Sequence, residues 1–265
     1  MMLQVLVATM HQDDFSIADK MNICCDCVIA NQADYEAIAV RENSDYHQKM
    51  ITTKTRGVGL NRNIALLAST ADIILFADDD VVYYDDMPKQ VIKAFEDFPK
   101  ADVIVFGLDM VKAKVIIDKR RCKNKKLHIW ESMRYGACRI AARRQALINN
   151  NITFNQCFGG GCKFSAGEDT LFLKECFDKG LKVYSYDYVL GTCNKDTSTW
   201  FKGYNEKYFY DKGVLLRHLF PKTAYIMALY FGVFFKRETR IKVLKRLSLI
   251  YSGIYHGKKM TPYDE

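Results

Sequence analysis

Three adjacent carboxylates, Asp78, Asp79 and Asp80, follow a run of apolar residues at 73–77. Neighbouring carboxylates repel one another, which raises the pKa of at least one of them unless a cation is close. Oxygen ligands suit Mg²⁺ or Mn²⁺, which bind through one or two carboxylates together with substrate phosphates. Alternation along an extended segment would send Asp78 and Asp80 to one side and Asp79 to the other. We therefore expect a divalent cation on Asp78 and Asp80, with a solvated acidic turn as the alternative.

A second acidic pair, Glu168 and Asp169, opens a predicted helix after the glycine-rich segment 158–167. Acids in a first helical turn interact favourably with the helix dipole, so the pair could simply cap the helix. Beside a metal–phosphate site, one of these carboxylates could instead act as general base on an acceptor hydroxyl. Similarly, the loop at 57–60 offers backbone N–H groups that suit either an anion or an ordinary turn.

Strands and helices alternate along the chain almost to residue 190, which predicts an α/β fold with a mostly parallel sheet. The acids at 78–80 would then emerge at the carboxyl end of a buried strand, where open α/β sheets bind ligands. Residues 31–34 are expected to form a turn, and the basic segment 119–126 a solvated loop or a phosphate-facing one. The predicted strands are 3–8, 27–30, 72–77, 103–106 and 181–184, and the predicted helices are 13–21, 61–69, 88–98, 139–149 and 168–179.

The last seventy residues become basic and aromatic, so we divide the chain into a catalytic domain at 1–195 and a helical extension at 196–265. The apolar run at 223–235 is too short to span a bilayer and predicts a packed or interfacial helix. Residues 236–246 predict a basic amphipathic helix, lying on an anionic membrane surface or exposed to solvent. Trp200 could stack on a sugar of the acceptor, whereas most of its aromatic neighbours are expected to pack the helices.

Composition narrows the class and the compartment. With 265 residues, 49% hydrophobic and 26% charged, the chain is expected to be folded, and its net charge of +8 indicates acidic partners. The nine cysteines are odd in number and lack C-x-x-C spacing, which favours reduced thiols. No basic leader precedes the first predicted strand. We expect a cytoplasmic protein, with the inner face of the cell membrane as a second possibility.

Three motifs in order carry a family resemblance: Gly57-x-Gly59-Leu60-Asn61-Arg62-Asn63, then Ile74-Leu75-Phe76-Ala77-Asp78-Asp79-Asp80, then Gly167-Glu168-Asp169. Together with the strand order, they resemble the inverting glycosyltransferases of family 2, which have the GT-A fold. The resemblance covers roughly residues 3–190. Family members often carry an acid where this chain has Asn31.

The resemblance implies a role for each motif. Asp78 and Asp80 would form the D-x-D pair that holds Mn²⁺ or Mg²⁺ and the sugar diphosphate, and His218 could supply a further metal ligand. Asp169 would deprotonate the acceptor, with Glu168 orienting it, and Trp200 would contact the acceptor. The residues expected to bind the nucleotide sugar are Thr9, Asn31, Arg62, Asn63, Asp78 and Asp79.

The implied function is transfer of a sugar from a nucleotide diphosphate sugar, expected to be a UDP-sugar, to a glycan or lipid-linked saccharide with inversion. A membrane surface is a further possible partner, and nucleic acid is not expected. Two other interpretations stay open on the residues alone. One is a sugar-phosphate nucleotidyltransferase, although residues 9–14 are acidic where such an enzyme needs a basic glycine-rich loop. The other is a non-catalytic basic module that docks on a membrane.

Overall fold

The computed structural model describes residues 1–194, 203–235 and 237–258. Its centre is a mixed sheet in which the main path runs β3-β4-β2-β1-β5-β10-β7-β11-β6, with β8 on β7 and β9 on β11. The strands are β1 (Leu3–Met10), β2 (Cys27–Gln32), β3 (Ala37–Glu42), β4 (His47–Thr53), β5 (Ile73–Asp78), β6 (Val81–Tyr83), β7 (Val103–Lys112), β8 (Val115–Arg120), β9 (Lys125–Lys126), β10 (Ile140–Arg143) and β11 (Val183–Asn194).

Helices cover both faces of this sheet and form the C-terminal extension. They are α1 (Ser16–Lys20), α2 (Val58–Ala68), α3 (Met87–Asp97), α4 (Ile129–Ser132), α5 (Arg144–Asn149), α6 (Glu168–Asp178), α7 (Glu206–Leu219), α8 (Ala224–Val233) and α9 (Val243–Gly257), with a short 3-10 helix at Ala137–Arg139. No helix among the described residues combines the length and apolar character needed to cross a membrane.

The parallel pairing of β4, β2, β1 and β5 brings their carboxyl ends to one edge of the sheet. In this register Ala8 is opposite Asp78, and Thr9 is opposite Asn31. β10 runs antiparallel between β5 and β7, so the sheet is mixed rather than purely parallel. Polar residues that are distant in sequence therefore meet at this edge.

Alternation along the buried strands divides the core into two layers. Val5 and Val7 pack on the side of α1 and α3, whereas Leu6 and Phe76 pack on the side of α2 and α6. Phe76, Phe154 and Phe172 form a fully buried aromatic cluster, in which the rings of Phe154 and Phe172 stack at 4.3 Å. Each aromatic pair of this kind stabilises the fold by about 0.5–1.5 kcal/mol beyond the contribution of the buried apolar area. The cluster therefore supports the residues that lie above it.

The C-terminal helices pack closely because α7 and α9 meet at glycines. A Cβ atom at Gly213 would lie 2.0 Å from the carbonyl oxygen of Ile250, and one at Gly253 would lie 2.2 Å from that of Tyr210. Backbones can approach to this distance only without side chains between them. The predicted division after residue 195 falls at the start of residues outside the described part and stays a prediction.

The structure corrects several of the predicted elements. Residues 31 and 32 continue β2 instead of turning, and residues 37–53, for which no strand was predicted, form the β3–β4 hairpin. The first part of the helix predicted at 139–149 is strand β10, which lies inside the sheet between two apolar strands. The basic segment 119–126 is not simply a loop, because its two ends pair as β8 and β9. The basic helix expected at 236–246 begins only at Val243, after an N-cap at Lys242.

Candidate active site

A cavity of about 790 Å³ opens at the carboxyl ends of β1 and β5. Its floor is formed by strand ends and the start of α2, and its other walls by residues 133–136 and 165–170. The predicted site residues that line it are Thr9, Arg62, Asp78, Asp79, Asp80, Glu168 and Asp169. The fold thus unites the two acidic motifs, which lie about ninety residues apart in the sequence.

Arg62 joins these acidic motifs. Its Nη2 atom donates to Oδ1 of Asp78 at 2.6 Å, and its Nη1 atom donates to Glu168 at 3.2 Å and to Asp169 at 3.0 Å. Only 4% of the Arg62 side chain is exposed. A buried charged side chain is stable only when it is paired with groups of opposite charge. Here the guanidinium of Arg62 forms ion pairs with three carboxylates.

The position of Arg62 is fixed by its neighbours on α2. The amide of Asn61 donates to the carbonyls of Thr9 at 3.1 Å and Ala30 at 2.8 Å, which ties α2 to the ends of β1 and β2. On the other side of Arg62, Asn63 donates to and accepts from the backbone of Phe154. The guanidinium carbon of Arg62 lies 5.2 Å from the centre of the Phe154 ring, a cation–π arrangement.

The acidic surroundings change the proton affinity of both partners. Burial by itself would lower the pKa of Arg62, but the carboxylates of Asp78, Asp169 and Glu168 raise it well above its ordinary value. Burial, together with repulsion by Glu168 and Asp78, raises the pKa of Asp169 to about 8, although Arg62 opposes this shift. A base is most effective when its pKa lies near the working pH, so Asp169 is suited to accept a proton.

The strand-end acids do not alternate as the sequence pattern predicted. β5 ends at Asp78, and Asp79 and Asp80 lie in a turn, so all three line the cavity. The alternation of an extended strand does not continue over these three residues, because the extended backbone ends at Asp78. Asp79 accepts a hydrogen bond from the hydroxyl of Thr9 at 2.7 Å, and burial raises its pKa despite that bond.

These acids do not form a complete metal cage. Within the described residues, no group of three or more His, Cys, Asp or Glu side chains is arranged to hold a metal ion. Asp78 is bonded to Arg62, and Asp79 to Thr9. However, Mg²⁺ and Mn²⁺ commonly use one or two carboxylates and take further oxygens from substrate phosphates. The oxygen-only donors of Asp78, Asp79 and Asp80, which all line the cavity, fit a cation that binds with a diphosphate.

The loop that leads to Asp169 is held by α7. Asp211, which is buried, accepts hydrogen bonds from Ser165 through the backbone N–H at 2.9 Å and through the hydroxyl at 2.8 Å. At the end of the loop, Gly167 has a φ of +126°, and a Cβ atom there would lie 2.6 Å from the side chain of Leu215. Sequence reasoning missed Asp211, because no local motif marks it.

Residues 133–136 were also missed as part of the site. They connect α4 with the 3-10 helix and line the cavity opposite the strand ends. A Cβ atom at Gly136 would contact Oδ2 of Asp169 at 3.4 Å, so a small residue here keeps space beside that carboxylate. Nothing in the local sequence separates this segment from an ordinary connection.

Three predicted residues, Asn31, Asn63 and His218, do not line the cavity. The side chain of Asn31 is fully buried in β2 and bonded to Gln12 and Thr52, while that of Asn63 is bonded to Phe154. His218 lies on α7 beside Phe158, with its Nδ1 atom 3.0 Å from the carbonyl of Val214. Trp200 lies outside the described residues.

The fold and the site together are those of a glycosyltransferase with the GT-A fold, a class of enzyme that uses nucleotide sugars. The chain belongs to glycosyl transferase family 2, whose family model matches residues 30–171, more than half of its length. This confirms the family and the fold class expected from the motifs. This membership favours a glycosyltransferase over the nucleotidyltransferase and over the non-catalytic docking module.

Solved structures of S. aureus TarS are similar to this chain. The crystal structure of TarS 1–349 with UDP-GlcNAc is 13% identical, has a TM-score of 0.61 and is matched over all of this chain and 74% of its own. The complex of TarS 1–349 with UDP is 12% identical with a TM-score of 0.57, over the same shares. A longer TarS structure, 12% identical with a TM-score of 0.57, is matched over 96% of this chain and 43% of its own. Similarity at this identity establishes the fold. No curated protein sequence matches the chain.

Proposed function

We propose that the chain transfers a sugar from a UDP-sugar to a hydroxyl of a saccharide acceptor, with inversion at the transferred carbon. The observation that carries the proposal is the meeting of Asp169 with Asp78, Asp79 and Asp80 in one cavity, with Arg62 bonded to both acidic motifs. UDP and UDP-GlcNAc in the similar TarS structures support a uridine donor.

The donor would bind across the carboxyl ends of β1 and β5. The cavity volume of about 790 Å³ is within the roughly 300–1,000 Å³ typical of small-molecule sites. Asp78 and Asp80 would hold Mn²⁺ or Mg²⁺, which when bound neutralises charge on the departing diphosphate. Thr9 and Asp78 would border the nucleotide, and Arg62 would adjust its carboxylate contacts as the anionic donor enters.

Asp169 would remove the proton from the acceptor hydroxyl as that oxygen attacks the sugar. Glu168 is less available for this role, because its carboxylate accepts from the backbone N–H of Gly167 at 3.1 Å and from Arg62. One base is sufficient for a single displacement, in which the acceptor oxygen approaches opposite the leaving diphosphate and the configuration inverts.

The acceptor would enter beside residues 133–136 and the first turn of α6, which border Asp169. Trp200 as an acceptor contact and His218 as a metal ligand stay predictions. We also propose a cytoplasmic location, because the cysteines are odd in number and lack C-x-x-C spacing, a pattern that favours reduced thiols.

The proposal is tested by incubating the chain with a panel of UDP-sugars, soluble saccharides and Mn²⁺. We expect one donor to give a glycoside whose anomeric configuration, read by proton NMR, is opposite to that of the donor. Removal of the cation with EDTA, or Asp80→Asn, should abolish the product. Asp45→Asn, which changes an exposed carboxylate in the β3–β4 turn, should not. A product that retains the donor configuration, or full activity of Asp80→Asn, would contradict the proposal.

A further inference from the structure

Most of the large apolar side chains of α8 are exposed, whereas Met227 and Phe231 pack partly against the C-terminal core. The buried residues of α8 are Ala224, Ala228 and Gly232, which are small and spaced four apart. A surface helix of a soluble protein normally shows the opposite arrangement, with its apolar stripe inward and charges outside. α8 contains no charged residue. We define the α8 surface by its exposed side chains: Tyr225, Ile226, Leu229, Tyr230, Val233 and Phe234.

Exposed cations flank the α8 surface at both ends. Lys222 precedes the helix, and Arg237, Arg240 and Lys242 follow it within nine residues of its end, against one exposed acid, Glu238. Anionic lipid headgroups attract such cations. The rings of Tyr225 and Tyr230 suit the boundary between headgroups and acyl chains, because tyrosine combines an apolar body with a polar tip.

Trp130 is an exposed aromatic residue close in sequence to the lining of the cavity. The ring of Trp130 on α4 stacks on that of Phe220, just after α7, with centres 5.1 Å apart and planes at 12°. The indole is 61% exposed. Three residues beyond Trp130 the chain reaches Met133, which lines the cavity.

We propose that the α8 surface binds an anionic phospholipid bilayer, with α8 lying in the plane of the membrane. This arrangement buries the exposed apolar side chains and pairs the flanking cations with lipid phosphates. A second copy of the chain would bring identical basic flanks together at a symmetric interface, where like charges repel. Binding to lipid does not require sugar transfer; only the use of a membrane-bound acceptor rests on the proposed function.

Flotation with vesicles tests this surface in the full chain. We expect binding to vesicles of phosphatidylglycerol mixed with phosphatidylcholine and much weaker binding to phosphatidylcholine alone. The double variant Ile226→Gln with Leu229→Gln should bind the anionic vesicles at least roughly tenfold more weakly. Ile38→Gln is the matched control, because Ile38 on β3 is 69% exposed and Ile226 is 70% exposed. The control should bind as the wild type does.

A second pair of variants tests the charges. Arg237→Gln with Arg240→Gln should weaken binding roughly tenfold and reduce its dependence on salt. Lys89→Gln with Lys100→Gln removes the same charge from an exposed part of the sheet domain and should have little effect. Thermal melting of all variants checks that they fold. The proposal is overturned if the wild type does not bind anionic vesicles, if the control and the α8 variants lose binding equally, or if light scattering shows a dimer that the α8 variant dissociates. Vesicle binding without any sugar transfer would reject the proposed reaction and leave the docking surface standing.

Discussion

The active-site cavity and the α8 surface handle polar and apolar groups in opposite ways. In the cavity a charged side chain, Arg62, is 4% exposed and is surrounded by carboxylates. On α8 an apolar side chain, Ile226, is 70% exposed. Both arrangements oppose the tendency that places apolar groups inside and charges outside. Each is expected to become more stable when a partner arrives, an anionic donor with its cation in the first case and a lipid surface in the second.

α7 connects these two regions. Asp211 and Leu215 hold the loop before Asp169, and Phe220, just beyond the end of α7, leads into α8 and stacks on Trp130. The extension is therefore part of the support of the active site as well as a candidate docking element. Substitutions in the cavity and in α7 therefore separate chemical roles in the cavity from supporting roles of the helices.

The largest effect is expected for the base. Asp169→Asn removes the proton acceptor while keeping the size of the side chain, so the transfer rate should fall by about 10²–10⁴-fold. The measurement is the initial rate of acceptor-dependent UDP release. Asp178→Asn, at the exposed end of the same helix, is the control and should be close to wild type. A rate of Asp169→Asn equal to that of the control would remove Asp169 from its assigned role.

The largest effect on stability is expected when the buried guanidinium of Arg62 is removed. Arg62→Gln leaves three carboxylates close together without their common partner, and we expect the free energy of unfolding to fall by about 3–5 kcal/mol. Urea denaturation measures this change. Arg56→Gln breaks an exposed pair with Asp34 and should cost at most about 1 kcal/mol. Equal losses of unfolding free energy in the two variants would show that the buried ion pairs of Arg62 contribute no more to stability than an exposed ion pair.

The link between α7 and the catalytic loop gives a smaller expected effect on rate. Asp211→Asn weakens the bonds to Ser165, and displacement of Asp169 should lower kcat by about tenfold, with the KM for the donor unchanged. Ser165→Ala removes the hydroxyl bond but keeps the backbone N–H bond to Asp211, so its decrease should be smaller. The double variant should be no worse than Asp211→Asn alone, because the hydroxyl acts through that carboxylate. Additive losses, or a rise in donor KM alone, would show that Asp211 does not act through this loop.

The smallest effect concerns pH and stability in the metal-free protein. Because the pKa of Asp169 is raised from 3.8 to about 8, the folded state holds a proton that the unfolded state releases. Stability from this group is complete below about pH 4 and is lost as the pH rises through about 8. Asp169→Asn escapes this loss, so its Tm should exceed that of the wild type by about 2–4 °C near pH 9 and by less near pH 5. A Tm difference that is the same at both pH values would contradict the raised pKa.

The parts of the site that the sequence predicted are those with a strong local signal. Asp78, Asp79 and Asp80 close a five-residue apolar strand, and Glu168 with Asp169 opens a helix after glycines, so the strand end and the helix start were both found. Their meeting in space could be expected only through the family resemblance, because nothing local relates residue 78 to residue 169. The contacts of Arg62 with both acidic motifs could be recognised only from the three-dimensional structure.

Other features depended on tertiary contacts. Asn31 is a residue type that favours turns. However, its side-chain amide forms hydrogen bonds with Gln12 and Thr52 inside β2, so the strand continues. Residues 140–143 contain alanines and an arginine, which suit a helix, but they fill the gap between β5 and β7. The role of Asp211 follows only from the packing of α7 on a loop some forty residues earlier in the chain.

The most direct test of the central claim is a calorimetric titration of UDP with Mn²⁺, compared with sugar transfer by the same proteins. We expect Asp169→Asn to bind UDP as tightly as the wild type while losing transfer, because Asp169 acts on the acceptor. We expect Asp80→Asn to lose both UDP binding and transfer. If Asp169→Asn lost UDP binding as fully as Asp80→Asn, or transferred sugar at the wild-type rate, the division of the cavity into a donor clamp and a base would be wrong.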